Sequence, residues 1–183
     1  VAIVGRANVG KSSLFNAVIG RRATIVAKEA GTTRDSITSR AGYEGKDFWI
    51  VDTAGMKRAE DEFELSIQEQ IAEAASSASL IIVVVEADVP VTEEDRKVAT
   101  LTLKSQKPVI LVVNKIDKNQ KADLNEWLKL GIKKVLATSV TQKRGIKQLL
   151  EVITASLPRA KIRLDENRIR VSFLGRPNVG KSS

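Results

Sequence analysis

The sequence predicts an α/β fold, a mostly parallel six-stranded sheet with helices on both faces. Short β-branched or apolar runs alternate with amphipathic helical patterns along the 183 residues. Continuous apolar runs are typical of parallel strands buried on both faces, and helices connect such strands. A glycine-rich turn separates the first run from the first helical pattern, as in strand–loop–helix units. These observations predict one ordinary domain with a sizeable core.

The predicted elements follow the chain in order. Buried strands are predicted at residues 1–4, 48–51, 80–85, 109–113 and 135–137. Residues 43–46 indicate a turn that joins two antiparallel edge strands before Phe48. Helices are predicted where apolar residues recur at helical spacing, namely at Phe15, Val18 and Ile19; Ile67, Ile71 and Ala75; Val98 and Leu101; and Ile146, Leu149, Leu150 and Ile153. Thr92 and the acidic residues after it predict a helix start, and Pro158 predicts the end of the last helix.

The chain also contains a long segment without periodicity and a repeat near its end. Residues 20–40 have little periodicity, which predicts a functional or mobile loop. Residues 1–13 return as residues 171–183 with nine of thirteen positions identical. We therefore expect a first domain at residues 1–157, a basic linker at 158–170 and a truncated second domain at 171–183. The chain would then be a fragment of a longer tandem protein, its last segment disordered or paired with an exposed strand edge.

The composition excludes several kinds of site. The chain has no Cys and no His, so it can form no disulfide and no zinc–thiolate site, and no histidine acts as a general base. Its longest apolar run, residues 80–85, is far below the roughly 18 residues of a membrane span, so we expect a cytosolic protein with no membrane partner. A net charge of +8 permits contact with an RNA backbone, but the few scattered aromatic residues do not indicate base readout, and no DNA partner is expected.

Residues 5–12 have the pattern G-x-x-x-x-G-K-S between a predicted strand and a predicted helix. Glycines at these positions let backbone N–H groups surround a phosphate, and the helix directs its positive end at the anion. Lys11 is expected to reach the β and γ phosphates, and the Ser12 hydroxyl to bind Mg²⁺. A glycine-rich turn of purely structural purpose is the alternative.

The second motif, Asp52-Thr53-Ala54-Gly55, follows a predicted strand about forty residues later. Ligands of parallel sheets collect at the carboxyl ends of strands. Asp52 is expected to hold Mg²⁺ through water, and the Gly55 N–H to contact the γ-phosphate. By itself a D-x-x-G pattern is often an ordinary turn, so its position after the phosphate-binding motif carries the interpretation.

The third motif, Asn114-Lys115-Ile116-Asp117, follows the strand at residues 109–113. The Asp117 carboxylate can accept hydrogen bonds from both N1–H and the 2-amino group of guanine, whereas adenine offers no such pair of donors. GTP rather than ATP is therefore expected, although a polar turn at a strand end is the alternative. Ser139 and Val140, after the next strand, are placed where a backbone N–H could reach the guanine O6.

This ordered set of motifs resembles the translation-factor-type P-loop GTPases. It is most similar to the Era-like tandem-domain bacterial GTPases of the Der or EngA family, as residues 31–35 (Gly-Thr-Thr-Arg-Asp) and the restart of a second domain also suggest. The resemblance implies a G domain and a cytoplasmic GTP hydrolase that assists assembly of the large ribosomal subunit. It departs from the family pattern at Ala7, usually Pro, and at Val140, usually Ala.

The resemblance also assigns roles along the chain. It makes Thr33, with Thr32 as second choice, a ligand of Mg²⁺ and the γ-phosphate, and it implies K⁺ bound near Asn8. A hydrophobic residue, Met56, follows the D-x-x-G motif, so catalysis would depend on positioning and charge neutralisation. The expected nucleotide contacts are Gly5, Asn8, Val9, Gly10, Lys11, Ser12, Ser13, Asp52, Gly55, Asn114, Lys115, Asp117, Ser139 and Val140. The expected catalytic residues are Asn8, Lys11, Thr33 and Gly55, and the expected Mg²⁺ ligands are Ser12, Thr33 and Asp52.

Three functions compete at this stage. The first is a Mg²⁺-dependent, K⁺-stimulated GTPase that acts as a switch. The second is a module in which GTP licenses docking on ribosomal RNA or protein, with negligible hydrolysis of its own. The third, a kinase or ATPase, is disfavoured by Asp117.

Overall fold

The computed structural model describes residues 1–20, 37–53, 63–119 and 123–158. Within these ranges the strands are β1 (Ala2–Val4), β2 (Ile37–Tyr43), β3 (Lys46–Asp52), β4 (Ile81–Glu86), β5 (Val109–Asn114) and β6 (Val135–Ala137). The helices are α1 (Lys11–Ile19), α2 (Phe63–Ser77), α3 (Glu93–Lys104), α4 (Asn125–Leu128) and α5 (Ile146–Ser156). The linker after Pro158 and the second copy of the motif lie outside the described residues.

The strands form one six-stranded sheet in the order β2-β3-β1-β4-β5-β6. β1 pairs in parallel with β3 and β4, β4 with β5, and β5 with β6. β2 pairs antiparallel with β3 over seven residues. The predicted fold class, a mostly parallel sheet with helices on both faces, is confirmed.

The core forms two clusters on opposite faces of the sheet. Ile3 and Ile82 point to the face covered by α1 and α5, where Leu14 and Leu149 are fully buried. Their chain neighbours point to the other face and pack against α2 and α3, including Val98. Alternation along β1 and β4 fills both faces because side chains of successive strand residues point in opposite directions. This burial explains the continuous apolar runs and fixes the strand ends that carry the site.

Helix α3 begins where the sequence predicts. The Asp95 N–H donates to Thr92 Oγ1 at 3.1 Å, and the Thr92 N–H donates back to Asp95 Oδ2 at 3.0 Å. This reciprocal cap satisfies two N–H groups that the first helical turn leaves without partners. Pro158 follows two residues after the end of α5, as predicted.

Three details differ from the prediction. Residues 37–40 were predicted to belong to the long loop, but they form the start of β2. This strand lies at the sheet edge and has few apolar residues, so the sequence shows no clear strand pattern there. β3 was predicted as an edge strand but pairs with β1 on its other side. Helix α4 is four residues long and was not predicted, because one turn gives no measurable periodicity.

Among the described residues, no helix has both the length and the apolar character needed to cross a membrane.

Candidate functional site

The candidate site lies at the carboxyl ends of the parallel strands. The phosphate loop (residues 5–12) follows β1, Asp52 ends β3, and the base loop (residues 114–117) begins at the last residue of β5. Because β1, β4 and β5 are neighbours, the phosphate loop and the base loop emerge from the same edge with only β4 between them. The sheet therefore brings together motifs that are more than one hundred residues apart.

Two glycines of the phosphate loop are required by space and by backbone conformation. Gly5 has φ +149°, and a Cβ there would lie 2.5 Å from the Val84 carbonyl oxygen. Gly10 has φ +93°, and a Cβ there would lie 2.5 Å from Asn114 Nδ2. Residues that carry a side chain rarely adopt such φ values, and a Cβ atom at either position would overlap with its neighbour. The glycines keep the loop packed against the strand ends of β4 and β5.

Lys11 is the first residue of α1 and its side chain is buried inside the phosphate loop. Its Nζ donates hydrogen bonds to the carbonyl oxygens of Gly5, at 2.8 Å, and Arg6, at 2.6 Å. Burial lowers the pKa of the Lys11 ammonium to about 8, although Asp52 opposes the shift. A desolvated cation enclosed by the loop is well placed to neutralise phosphate charge. Ser12 and Ser13 follow it in the first turn of α1 and are exposed.

The lowered pKa of Lys11 predicts a pH dependence of stability. The unfolded chain binds this proton up to about pH 10.5 and the folded chain only up to about pH 8, so stability rises with pH between these values. The free energy of unfolding should increase by about 2 kcal/mol between pH 8 and pH 10. Urea titrations of the nucleotide-free chain and of Lys11→Met at both pH values measure the difference. Equal pH dependence in the two proteins would contradict the assignment.

Asp52 is placed beside the phosphate loop by strand pairing. It lies opposite Ile3 in the parallel register of β1 and β3, and its side chain is buried. The adjacent Thr53 hydroxyl donates to the Ile3 carbonyl oxygen at 2.7 Å, which holds the end of β3 against β1. Gly55, Met56, Thr32 and Thr33 lie outside the described residues, so their predicted roles stay predictions.

The donor chemistry around the phosphate loop fits Mg²⁺. Ser12 offers an exposed hydroxyl and Asp52 a carboxylate, both of the hard oxygen type that Mg²⁺ prefers. Within the described ranges, no group of three or more acidic side chains could hold a metal without further ligands. Mg²⁺ at this place would therefore share its coordination with phosphate oxygens and water, as it does in nucleotide sites.

Asn114 connects three loops rather than pointing its amide at solvent. Its buried Nδ2 donates to the Val9 carbonyl oxygen at 3.0 Å, and its Oδ1 accepts from the Thr138 hydroxyl at 3.1 Å. The sequence placed Asn114 in the base-recognition motif without assigning it this connection. Both ends of the amide are used within the protein, so Asn114 fixes the phosphate loop, the base loop and the end of β6 relative to one another.

Lys115 makes a second connection to the phosphate loop. Its backbone is left-handed, with φ +62°, and its Nζ donates to the Asn8 carbonyl oxygen at 2.8 Å. The same ammonium forms an ion pair with Glu86 at the end of β4. Asn8, also left-handed at φ +64°, is exposed. The structure thus brings two predicted site residues, Asn8 and Lys115, into direct contact.

Asp117 carries an unused acceptor. Its Oδ1 is buried and has no hydrogen-bond partner among the described residues. A buried carboxylate oxygen without a partner is costly, and such groups call for an explanation in a ligand or in water. Guanine N–H donors are the explanation that the sequence predicts.

The loop after β6 closes this side of the site. Ser139 is buried, its N–H donates to the Arg144 carbonyl oxygen at 3.1 Å, and its Oγ accepts from the Gln142 N–H at 3.1 Å. Val140 packs on the core face that holds α1 and α5. Since the Ser139 N–H is engaged within the loop, the predicted contact with guanine O6 falls to the Val140 N–H.

Sequence reasoning missed the residues that surround these loops. Glu86 and Asp95 are buried acids that lie against Arg6 of the phosphate loop. A signal was present for Glu86, because an acidic residue at the end of a fully apolar strand is unusual unless it is paired. The partners of that acid cannot be read from the chain, since they lie in loops that follow other strands.

Comparison with known proteins identifies the family. Residues 1–115 match the family model described as 50S ribosome-binding GTPase. The chain is 41% identical over its whole length to a protein named GTPase Der from Gemmatimonas aurantiaca. A GTPase Der from Limosilactobacillus fermentum is 38% identical, also over the whole chain. The chain spans 42% of the length of each of these curated relatives.

Solved structures agree with the fold. The G domain of the T. maritima FeoB iron transporter is 29% identical, with a TM-score of 0.64 over 85% of this chain and 96% of that one. Era in complex with MgGDPNP and a fragment of 16S ribosomal RNA is 25% identical, with a TM-score of 0.68 over 91% of this chain and 59% of that one. The motifs, their convergence at one sheet edge and the match to more than half of the sequence lead to one conclusion: the chain belongs to the 50S ribosome-binding GTPase family.

Proposed function

We propose that the chain binds GTP and GDP at the candidate site and hydrolyses GTP to GDP and phosphate. The observation that carries the proposal is the buried Oδ1 of Asp117, which has no hydrogen-bond partner among the described residues and lies in the loop next to the phosphate-binding loop. A site built to hydrogen-bond guanine rejects a base that lacks its donors, because the carboxylate would then stay desolvated and unpaired. Family membership supports the GTPase assignment.

Phosphate binding would depend on the phosphate loop and Lys11. The Lys11 ammonium, held between loop carbonyl oxygens, would exchange these partners for phosphate oxygens of higher charge. Binding of the anion would also raise the pKa of Lys11 and keep it protonated. The backbone N–H groups at the start of α1 would add the positive end of the helix.

Mg²⁺ would be held by the Ser12 hydroxyl and, through water, by Asp52, and when bound it supplies charge neutralisation at the phosphates. In this proposal Thr33 completes the metal site, and the Gly55 N–H contacts the γ-phosphate. Asp117 and the Val140 N–H hold the base, while Asn114 and Lys115 keep the base loop in place against the phosphate loop. The protein's own contribution is therefore to position the phosphates and to exclude water from the charged contacts.

K⁺ stimulation forms the finer part of the proposal. Met56 cannot orient an attacking water, so a cation beside the phosphates would supply charge in the manner of an arginine finger. Asn8 is exposed, with its backbone carbonyl fixed by Lys115, so its side-chain oxygen is available as a hard ligand. Two protein cations beside this loop are already paired, Arg6 with Glu86 and Asp95, and Lys115 with Glu86.

Phosphate release from GTP, measured with Mg²⁺ in matched KCl and NaCl, tests hydrolysis and this cation effect together. The unaltered chain is expected to turn over faster in KCl. Asn8→Ala is expected to abolish the preference, while Ala7→Ser, a matched change beside it, should retain it. An unchanged ratio of rates in Asn8→Ala would overturn the role of Asn8.

The biological role that we propose is a switch in assembly of the large ribosomal subunit, in the cytoplasm. The family model is described as ribosome-binding, and the Era structure contains ribosomal RNA, which supports a ribosomal partner. The net charge of +8 is compatible with an RNA backbone. A docking module with negligible hydrolysis uses the same residues. GTP that stays bound without turnover in either salt would favour that alternative.

A further inference from the structure

Glu86 occupies a central position at the edge of the sheet that carries the site. It is the last residue of β4, the strand that lies between β1 and β5, and it pairs in register with Asn114. Its side chain is only 10% exposed. Any side chain at this place lies between the phosphate loop and the base loop, since these follow the two neighbouring strands.

The two carboxylate oxygens of Glu86 contact different loops. Oε2 accepts a hydrogen bond from Arg6 Nη2 of the phosphate loop at 3.2 Å. Oε1 accepts from Lys115 Nζ of the base loop, and Lys118 Nζ lies 3.9 Å from the same oxygen. One buried carboxylate therefore connects both halves of the candidate site. Loss of its charge would leave Arg6 and Lys115, both largely shielded from solvent, facing one another without a counter-charge.

Each loop cation has one further anchor. Arg6 Nε lies 3.4 Å from Asp95 Oδ1, an ion-pair distance without hydrogen-bond geometry, and Asp95 is held by the cap of α3. Lys115 Nζ donates to the Asn8 carbonyl oxygen at 2.8 Å. These anchors hold each side chain in place, and Glu86 adds a charged connection between the two cations. Arg6 is thereby held at β4 and α3.

We propose that Glu86 is a positioning residue that fixes the separation of the phosphate loop and the base loop, and so governs how long a guanine nucleotide stays bound. The inference rests on the proposed function. A nucleotide that spans both loops gains affinity only if both are correctly spaced at once, because the second contact is then intramolecular. Without the carboxylate, the hydrogen bonds from Asn114 and Lys115 would still join the two loops, but the charged connection would be lost. The spacing of the loops would then loosen, and dissociation would speed up more than association.

The dissociation rate of fluorescent N-methylanthraniloyl-GDP from the full 183-residue chain, chased with excess GDP, tests the inference. Glu86→Gln keeps the size of the side chain and removes its charge, and should raise the rate on the order of tenfold. Asp88→Asn is the matched control: it removes one acidic charge and a contact with Lys118, at 3.1 Å, but among the described residues Asp88 forms no ion pair with Arg6 or Lys115. Its rate should stay within about twofold of the unaltered chain.

Measurements are made well below the unfolding midpoint of each variant, so that a purely structural loss of stability would not change the rate. Arg6→Gln serves as a second variant in case Glu86→Gln does not fold. It should raise the dissociation rate by a smaller factor, because the ion pair between Glu86 and Lys115 remains. Glu86→Asp should release the nucleotide more slowly than Glu86→Gln, since it keeps the negative charge. Wild-type rates in both Glu86→Gln and Arg6→Gln would overturn the inference while leaving GDP binding intact. Failure of the unaltered chain to bind GDP would overturn the proposed function, and the inference with it.

Discussion

Asp117→Asn is expected to lower the affinity of the chain for GDP by roughly a thousandfold and to create affinity for xanthosine diphosphate. In the unaltered chain the buried Oδ1 has no partner within the described residues, so guanine would supply its hydrogen bond. The asparagine amide would instead place a donor against the 2-amino group of guanine. Xanthine carries a carbonyl oxygen at that position and would accept this hydrogen bond, so the preference should reverse.

Competition of GDP, xanthosine diphosphate and ADP against a fluorescent nucleotide measures this change. Asp123→Asn provides the control, because Asp123 is exposed and its Oδ1 accepts hydrogen bonds within its own turn, from the N–H and the amide of Asn125. An asparagine there keeps the acceptor and should leave all three affinities unchanged. GDP affinity that survives in Asp117→Asn would show that this carboxylate does not bind the base.

Lys11→Met is expected to reduce GTP hydrolysis by about a thousandfold or more, since a charge aimed at the transferred phosphate is removed. The stability of the nucleotide-free chain at pH 7 should not fall. Burial lowers the pKa of Lys11 to about 8, which means that the folded chain holds this charge at a cost that methionine avoids. A loss of activity without a loss of stability would separate a functional lysine from a structural one.

Single-turnover phosphate release and urea titration, carried out on the same preparations, give both quantities. Lys104→Met is the matched control, because Lys104 is exposed at the end of α3 that lies away from Asp95. It should keep both hydrolysis and stability. Hydrolysis retained by Lys11→Met would contradict the assignment of the phosphate loop.

Local signals predicted much of the fold. The parallel strands β1, β4 and β5 are buried on both faces, so their apolar runs are visible in the sequence, and every residue of β4 is buried. The reciprocal cap at Thr92 and Asp95 lies within four residues and was equally readable. β2 was less visible at its start, because it has a neighbour on only one edge among the described strands, and the need for apolar residues is weaker there.

The motifs of the site were predicted, but the contacts between them were not. Glycine spacing and strand context pointed to Lys11 and Asp117 because the chemistry needs those residue types in those places. The roles of Asn114 and Glu86 depend on which strands become neighbours in the sheet, and a single sequence does not show which strands are adjacent. Both residues connect loops that are far apart in the chain, with Asn114 reaching Val9 across 105 positions.

Isothermal titration of the chain with GDP and, separately, with ADP, both with Mg²⁺, is the decisive test of guanine-nucleotide binding. We expect saturable binding of one GDP per chain, and ADP binding weaker by at least about a hundredfold, because adenine cannot pair with Asp117. Equal binding of the two nucleotides, or no heat of binding with GDP, would contradict the assignment of this sheet edge as a guanine-nucleotide site.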